Sequence, residues 1–293
     1  MRITEGMMTE QYLSNYNKVA SKVSQIQTQL STNTKLNTLS DDVAGSLLSI
    51  NIQNQINKTD TYMKNSQNAK SYMASSLSAL DNMTSEIQKI MTQVTTAQNP
   101  LNQQNYPTIL ESIKNSLDSI ATDFNTKQNN MYLFGGTNYN TPPVSLDAAG
   151  KAVATTADIS GTVNVQLSQN VNTAINIPGS DLLSTGLLTA VNDIIDSFTA
   201  NTAPTQAQID ALQNSYNELL NIQSIGGEKS NRIDDITNLL TSTKTNLESS
   251  QANVSGVDTA KLAVDLQNQN YIMQISQKVL AQTFPQSLFD YIS

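Results

Sequence analysis

Apolar side chains form a stripe near each end of this chain, and near the N-terminus they recur in alternating steps of four and three residues. The repeat near the N-terminus consists of Tyr12, Tyr16, Val19, Val23, Ile26 and Leu30. A second apolar stripe near the C-terminus consists of Leu262, Leu266, Ile272, Ile275, Val279 and Leu280. Steps of four and three place side chains on one face of a helix, which is the spacing that pairing with a second helix requires. Each stripe is the simplest partner for the other, so the sequence predicts a coiled-coil stalk made from the two ends.

Long helices are also predicted between the two ends. A helix over residues 8–33 is followed by one over 43–98, whose apolar seam consists of Ile52, Ile56, Met63, Met73, Leu77, Leu80, Thr84, Ile87, Met91 and Val94. A third helix is predicted from Pro107 to Asn129 and Asn130, because proline is favoured in a first helical turn. These helices supply apolar faces that can pack together in a bundle.

The second half of the chain repeats the helical pattern. It resumes at Leu183 and again after Pro204, and the pair Gly226 and Gly227 is expected to interrupt or kink the later helix because glycine disfavours helix. Pro285 is expected to break the terminal helix and to begin a final turn. One face of that turn carries Leu288, Phe289 and Ile292.

Residues 138–182 differ from the rest of the chain. Glycine and proline punctuate them, and the alternation at residues 162–167 (TVNVQL) predicts short antiparallel strands. The predicted fold class is therefore mainly α, a long antiparallel helical bundle or coiled-coil rod formed by N- and C-terminal arms, with a small β-rich inserted domain. The predicted domains are a terminal stalk of residues 1–45 plus 255–293, a central helical rod of residues 46–137 plus 183–254, and the insertion, 138–182.

Composition excludes several classes of function. The net charge of −8, with no cluster of Lys and Arg, argues against nucleic acid and against anionic membrane surfaces. The chain has neither Cys nor His, so thiolate chemistry is impossible, and the commonest general base and metal ligand are absent. We therefore predict no enzyme activity, no cofactor and no metal site. No apolar run is long enough to span a membrane, and the first residues do not resemble a signal peptide.

Paired acids and glycines have simple structural explanations. Asp41–Asp42 and Asp234–Asp235 can in principle bind a cation, but helix capping and solvation are favoured. Gly135–Gly136 lacks the Gly-Lys-Ser/Thr sequence of a phosphate loop, so a turn is predicted there. The terminal stripes are too sparse to offset the entropy of ordering the terminal residues, so we expect the stalk to be disordered in a monomer and to order on contact with neighbours.

Short motifs in both helical arms resemble the bacterial flagellin superfamily, and within it the hook-associated proteins that join hook to filament. The stretches 30–35 (LSTNTK) and 39–44 (LSDDVA) are similar to the family pattern LSTGK…SDDPAA, with Asn33 in place of Gly and Val43 in place of Pro. Residues 132–137 (YLFGGT) with the downstream Pro142 resemble a pattern of the junction proteins. The candidate motif positions are Asp41, Asp42, Tyr132, Phe134, Gly135, Gly136, Pro142, Gly226, Arg232 and Asp258.

The C-terminal arm carries the same resemblance. Residues 224–233 (SIGGEKSNRI) are similar to a shared GAxxNRL segment, and 257–260 (VDTA) to VDxA. The end of the chain is divided between two patterns, since 288–292 (LFDYI) resembles the junction proteins and 284–287 (FPQS) resembles flagellins. The resemblance places Arg232 in a fixed contact at the bend of the helical rod.

This resemblance implies an extracellular structural subunit of the flagellum. It implies export through the flagellar type III channel, with a chaperone bound to the C-terminal region. It implies contacts with hook-associated protein 1, with flagellin and with copies of itself in a ring. The alternative within the same family is a short flagellin that forms the filament. A helical-bundle metalloenzyme is a third hypothesis, but such sites use Glu-x-x-His pairs and the chain has no His.

Overall fold

Seven α-helices and three small β-hairpins make up the part of the chain described by the computed structural model, which covers residues 5–283. The helices are α1 (Glu5–Thr32), α2 (Val43–Ala97), α3 (Tyr106–Phe124), α4 (Gly179–Ser184), α5 (Leu187–Thr199), α6 (Gln206–Ser255) and α7 (Thr259–Thr283), with a 3-10 turn at Pro100–Asn105. The predicted class is confirmed: the chain is mainly α, with long helices packed against one another and a few small antiparallel strand pairs.

The described residues divide into two compact units. One contains the chain up to Lys58 and from Lys244 onward, and the other contains Thr59–Thr243. The first is built from α1, α7 and the adjoining ends of α2 and α6. The three-domain division expected from the sequence stays a prediction.

In the unit Thr59–Thr243, α2 and α6 run antiparallel in a constant register. Gln88 donates a hydrogen bond to the Tyr216 hydroxyl over 2.7 Å, Gln223 donates to Asp81, and Lys70 pairs with Asp234 at 2.6 Å. Beneath these polar links, every seventh residue of α2 is buried. This repeat consists of Thr59, Ser66, Met73, Leu80, Ile87 and Val94. A seven-residue repeat keeps one face of a helix against its partner over many turns.

Helix α6 carries a matching repeat and is continuous. Its buried residues seven apart are Leu212, Leu219, Gly226, Ile233 and Leu240. The expected interruption at Gly226 and Gly227 is wrong, because Gly226 lies inside the seam. A Cβ atom there would come within 2.9 Å of the Leu77 side chain and 3.0 Å of Ile177. The close approach of these neighbours offsets the low helix propensity of glycine.

The residues at the ends of α6 and α3 show why these helices begin or end where they do. Helix α6 begins at a reciprocal capping box, in which the Gln208 side chain accepts from the Thr205 N–H over 2.8 Å and the Thr205 hydroxyl accepts from the Gln208 N–H over 3.4 Å. Pro107 occupies the first turn of α3, as predicted. Helix α3 ends at Phe124, earlier than predicted, because Asn129 and Asn130 have positive φ and form a two-residue hairpin turn instead.

The strands form three separate antiparallel hairpins in the described residues. They are β1 (Lys127–Gln128) with β2 (Met131–Tyr132), β3 (Val144–Leu146) with β4 (Ala152–Ala154), and β5 (Asn164–Ser168) with β6 (Val171–Ala174). Hairpins this short are marginal alone. They pack on the helices through Val144, Ala152, Leu167, Ile175 and Ile177, which belong to the same core as the helical seams.

Two asparagines attach the β3–β4 hairpin to the helices. The Asn125 side chain donates to the Val144 carbonyl over 2.7 Å and accepts from the Val144 N–H over 3.2 Å. On α5, Asn192 makes the same reciprocal pair with Ala152, at 2.8 and 3.0 Å. Each amide side chain therefore satisfies both backbone groups of one strand residue, as a neighbouring strand would.

Replacement of Asn192 tests this attachment. Asn192→Ala leaves two backbone groups of the buried Ala152 unpaired, so we expect the free energy of unfolding of the unit Thr59–Thr243 to fall by about 1–3 kcal/mol. Urea titration followed by circular dichroism measures it. Asn214→Ala, at an exposed position of α6, is the matched control and should change stability by less than about 0.5 kcal/mol. Equal effects of the two substitutions would contradict the attachment.

The turn between α1 and α2 is organised by aspartates. Asp42 accepts a hydrogen bond from the Gly45 N–H over 2.9 Å and so caps α2. Asp41 accepts from the N–H groups of Asn37 and Thr38 at 3.0 and 2.8 Å. These hydrogen bonds, chiefly that from Thr38, lower the pKa of Asp41 below its usual value. Asp42 therefore caps a helix, whereas Asp41 holds the turn that precedes it.

A cap substitution gives a second prediction. Asp42→Ala removes the acceptor for the Gly45 N–H, so the first turn of α2 should lose about 1 kcal/mol of local stability. Amide hydrogen exchange over residues 43–50 should accelerate about fivefold. Asp42→Ser retains a capping oxygen and should exchange like the wild-type chain. If Asp42→Ser accelerates exchange as much as Asp42→Ala, charge rather than capping is responsible.

Candidate assembly surfaces

Helices α1 and α7 pack against each other, which is the pairing of chain ends that the sequence predicts. The Gln277 side chain of α7 donates a hydrogen bond to the Tyr16 hydroxyl of α1 over 3.2 Å. On α1, Val23 and Ile26 are buried, whereas Tyr12, Tyr16, Val19 and Leu30 are half-buried. The predicted stripe on α1 therefore lies on one face, but only its centre is fully covered.

The inner face of α7 differs from the predicted stripe. Leu262, Leu266 and Val279 are half-buried, but Ile272 and Ile275 are 43% and 42% exposed. The step from Leu266 to Ile272 is six residues, which turns Ile272 away from the face that Leu266 occupies. Gln269, Met273 and Ser276 occupy that face instead. The Leu280 side chain, and Leu288, Phe289 and Ile292, lie outside the described residues.

Exposed apolar stripes remain on the unit that contains α1 and α7. On α2, Val43, Leu47 and Ile50 follow each other at steps of four and three and are all more than half exposed. On α7, the exposed large apolar residues are Val264, Tyr271, Ile272 and Ile275. Helical stripes of this kind form patches that soluble monomers rarely leave uncovered. The arrangement can bury apolar surface against other helices.

The turn and cap motifs of this unit lie close together. Asn33 ends α1 with a φ of 53°, the left-handed conformation in which glycine or asparagine is preferred. The Lys35 N–H donates to the Ser255 carbonyl over 2.8 Å, which holds the α1–α2 turn beside the end of α6. Asp258 accepts from the Lys261 N–H over 3.0 Å and caps α7. Asp41, Asp42 and Asp258 therefore fix chain turns.

The YLFGGT motif is a packed turn in the unit Thr59–Thr243. Phe134 is buried and its ring meets Phe124 edge-on, with ring centroids 6.2 Å apart. Gly136 has a φ of 63°, and a Cβ atom there would lie 2.7 Å from the Ile159 carbonyl oxygen. The hydroxyl of the half-buried Tyr72 donates to the Leu133 carbonyl over 2.6 Å, and desolvation raises the pKa of Tyr72 to about 12.

The other motif positions of this unit differ in burial. The Tyr132 ring lies 4.3 Å from the Lys127 ammonium, and Gly135 is buried. Pro142 is exposed. Arg232 is exposed on α6 and has no hydrogen-bond or ion-pair partner among residues 5–283, so the predicted fixed contact is not made within the described chain. Sequence reasoning did not identify the flank of α6 on which Arg232 lies.

Acidic side chains that could bind a metal ion do not cluster among the described residues. Within residues 5–283 no three acidic side chains approach closely enough to bind a metal ion together, and no helix combines the length and apolar character of a membrane span. The clefts of the unit Thr59–Thr243 include an open polar groove between α2 and α3 of about 450 Å³, lined by residues such as Asn82, Asp118 and Asp123. Extended helical surfaces are the main candidate sites.

Comparison with known proteins identifies the family. The model of the bacterial flagellin N-terminal helical region matches residues 3–139, and that of the C-terminal helical region matches 195–292. A flagellin of Bacillus subtilis is 25% identical over 96% of both chains. The fold is similar to that of a protein of Vibrio parahaemolyticus described as flagellar hook-associated (TM-score 0.66, 21% identity, 74% of this chain and 100% of that one) and to FlgL of Bacillus cereus (TM-score 0.59, 16% identity, 69% and 99%).

The two family models together cover most of the chain, including both terminal arms, and leave out residues 140–194, which contain the β3–β4 and β5–β6 hairpins, α4 and the first part of α5. Their matched regions contain the cap motifs at Asp42 and Asp258 and the exposed stripes on α2 and α7. The family comprises structural components of the flagellum. This chain belongs to the bacterial flagellin family.

Proposed function

We propose that this chain is the structural subunit that joins the flagellar hook, through hook-associated protein 1, to the flagellin filament. The observation that carries the proposal is the pair of exposed apolar stripes, one on α2 and one on α7. Burial of the exposed half of one such side chain contributes roughly 1 kcal/mol. Several stripes covered at once by neighbouring subunits give an assembly its stability, and the role is mechanical rather than catalytic.

The junction role is supported by two similarities. Residues 132–137 with Pro142 resemble a pattern of hook-associated junction proteins, and the Vibrio parahaemolyticus protein of similar fold is described as hook-associated. The proposed partners are hook-associated protein 1, flagellin and further copies of this chain in a ring. The proposed location is outside the cell, reached through the flagellar type III channel, with an export chaperone on the C-terminal region.

A short flagellin is the second candidate. The Bacillus subtilis relative that matches along nearly the whole chain is named flagellin, and residues 284–287 resemble flagellins. Both candidates use the same terminal helices to assemble. They differ in the length of the assembly that they form, because a flagellin adds subunits without limit, whereas a junction protein stops at a short assembly.

Hydrogen exchange tests whether the terminal helices depend on neighbours. Only Val23 and Ile26 of the α1 stripe are fully buried, so we expect amides of α1 in a dilute monomer to exchange at least about 100-fold faster than those of α2 between Met73 and Val94. In the assembled particle, α1 should become protected. The α2 segment is the internal control. Protection throughout residues 8–33 in the dilute monomer would contradict a neighbour-dependent stalk.

Gene deletion tests the junction role. Cells that lack this chain should lose attached filaments and shed flagellin into the medium, because the filament has no base on which to grow. Electron microscopy counts the filaments, and immunoblotting of the medium measures flagellin. Complementation with the wild-type gene is the control.

The result for a short flagellin is different. The purified chain would then polymerise alone into long filaments, and its deletion would leave no flagellin monomers in the medium. Either finding would replace the junction role by the second candidate.

A further inference from the structure

One flank of α6 remains uncovered beside the buried seam. The seam residues Gly226, Ile233 and Leu240 are each preceded by an exposed residue: Ile225 (46% exposed), Arg232 and Leu239 (65% exposed). We call these three residues the α6 strip. They are seven residues apart and therefore lie along one line of the helix surface. Two large aliphatic side chains thus flank one guanidinium in the unit Thr59–Thr243.

The Arg232 guanidinium is free to bind a carboxylate. Among the described residues it has no ion-pair or hydrogen-bond partner, although Asp234 on the same helix already pairs with Lys70. Arginine between apolar side chains is characteristic of residues that dominate binding at protein interfaces, because its planar donors match carboxylate oxygens. The α6 strip thus has the composition of an interface centre.

The same unit offers an acidic groove on a different pair of helices. The groove between α2 and α3 continues into two adjoining clefts, which share Asn82 and Ser119 with it, and from here the name groove covers all three. Small residues wall it, including Ala74, Ser78 and Ser119. Asp118 is exposed and has no partner among residues 5–283. Asp123 is half-buried and accepts only a 3.3 Å hydrogen bond from Asn82.

Burial raises the pKa of Asp123, the hydrogen bond from Asn82 opposes this rise, and the nearby Glu86 carboxylate adds to it. Glu86, another acid of the groove, is already paired with Lys89 at 2.6 Å. Asp118 and Asp123 are therefore available for an incoming cation. Small residues beside them let another helix approach closely.

The dimensions of the strip and the groove agree. At 1.5 Å per residue, Ile225 to Leu239 spans about 21 Å, and the groove from Ala74 to Lys89 spans about 22 Å. Arg232 lies at the middle of the strip. Asn82, which contacts Asp123, lies at the middle of the groove. The guanidinium meets the carboxylates whichever way the strip runs along the groove.

We propose that the α6 strip of one subunit docks in the α2–α3 groove of a second copy of this chain, with Arg232 paired to Asp118 and Asp123. This inference rests on the proposed assembly function. The contact joins two different surfaces, so it is heterologous and repeats from subunit to subunit, as a ring or tube requires. It also sets the register between subunits, because the cation meets the carboxylates at one position along the two surfaces.

Charge exchange between subunits tests the contact. In a strain that lacks the chromosomal gene, Arg232→Asp and Asp118→Arg, each expressed alone, should reduce the number of cells with attached filaments at least about tenfold. Co-expression of both variants should restore filaments to within about twofold of wild type, because each variant then meets its complement in a neighbour. Lys64→Asp, an equal charge change at an exposed position of α2 outside the groove, is the matched control and should behave like wild type.

Two further measurements separate assembly from folding and export. Circular dichroism of each purified variant should match that of wild type, and immunoblotting should detect equal amounts of exported chain. Rescue by co-expression is not expected of a variant that simply fails to fold, since the defect would then lie within each chain.

Each outcome has a definite meaning. Loss of filaments in the single variants with rescue in the mixture supports the contact. Normal filaments with Arg232→Asp, or no rescue by the mixture of correctly folded variants, overturns the contact and leaves the proposed function intact. If the wild-type gene itself does not change the filaments of the deletion strain, the proposed function fails and the contact between copies fails with it. The variants could also assemble normally with one another and fail only when flagellin is added to them. That result would assign the groove to flagellin and would also overturn a contact between copies.

Discussion

The seven-residue repeat shared by α2 and α6 is the interaction on which the unit Thr59–Thr243 depends. Residues such as Leu80 and Ile87 on α2 and Leu219 and Ile233 on α6 are completely or almost completely buried. Hydrogen bonds such as that from Gln88 to Tyr216 keep the antiparallel register, because a slip of one residue would break them. The hairpins and α5 then pack against this pair of helices. Asn125 and Asn192 supply hydrogen-bond partners for backbone groups of the β3–β4 hairpin.

A repeat of this kind uses only part of each helix surface. The residues immediately before the seam of α6, including Ile225 and Arg232, stay uncovered although they belong to the same heptads. Polar uncharged side chains cover much of the remaining surface, so neighbouring helices can approach without strong charge repulsion. A chain stabilised by narrow seams therefore keeps long faces available for other subunits.

Helix positions could be predicted from the sequence, but the details of register and tight packing could not. The seam through Met73, Leu80 and Val94 follows directly from apolar periodicity, and burial confirms it. The stripe on α7 was misplaced at Ile272 because apolar residues on that helix occupy more than one face. Periodicity alone does not show which face meets α1.

The glycine pair in α6 shows a different limit. Local propensity predicts a break at Gly226, yet tertiary packing keeps the helix continuous because Leu77 and Ile177 fill the space a side chain would occupy. The cost of one glycine in a helix is about 1 kcal/mol, which burial of two aliphatic side chains exceeds. Such a contact between distant segments leaves no signal in the local sequence.

The motif positions were found through resemblance, and the structure explains most of them as determinants of shape. Asp42 and Asp258 cap helices, Gly136 allows a turn with positive φ, and Phe134 fills the core. Asn33 ends α1 in the left-handed conformation, which asparagine adopts more readily than most residues. Arg232 is the exception, because no contact in the described chain accounts for it. The acids proposed to pair with it, Asp118 and Asp123, both lie on α3, and only the folded unit places α3 against α2 to form the groove around them.

The two units differ in how much of their stability is internal. The unit Thr59–Thr243 has a core whose large side chains, such as Phe124 and Ile113, are fully buried. Among the described side chains of α1, only Val23 and Ile26 are buried, and Val23 keeps 8% of its surface exposed. Stability therefore resides in the middle of the chain, and the ends gain most from added neighbours. In the assembly proposed above, the centre of each subunit folds independently, and contact between copies completes the folding of its terminal helices.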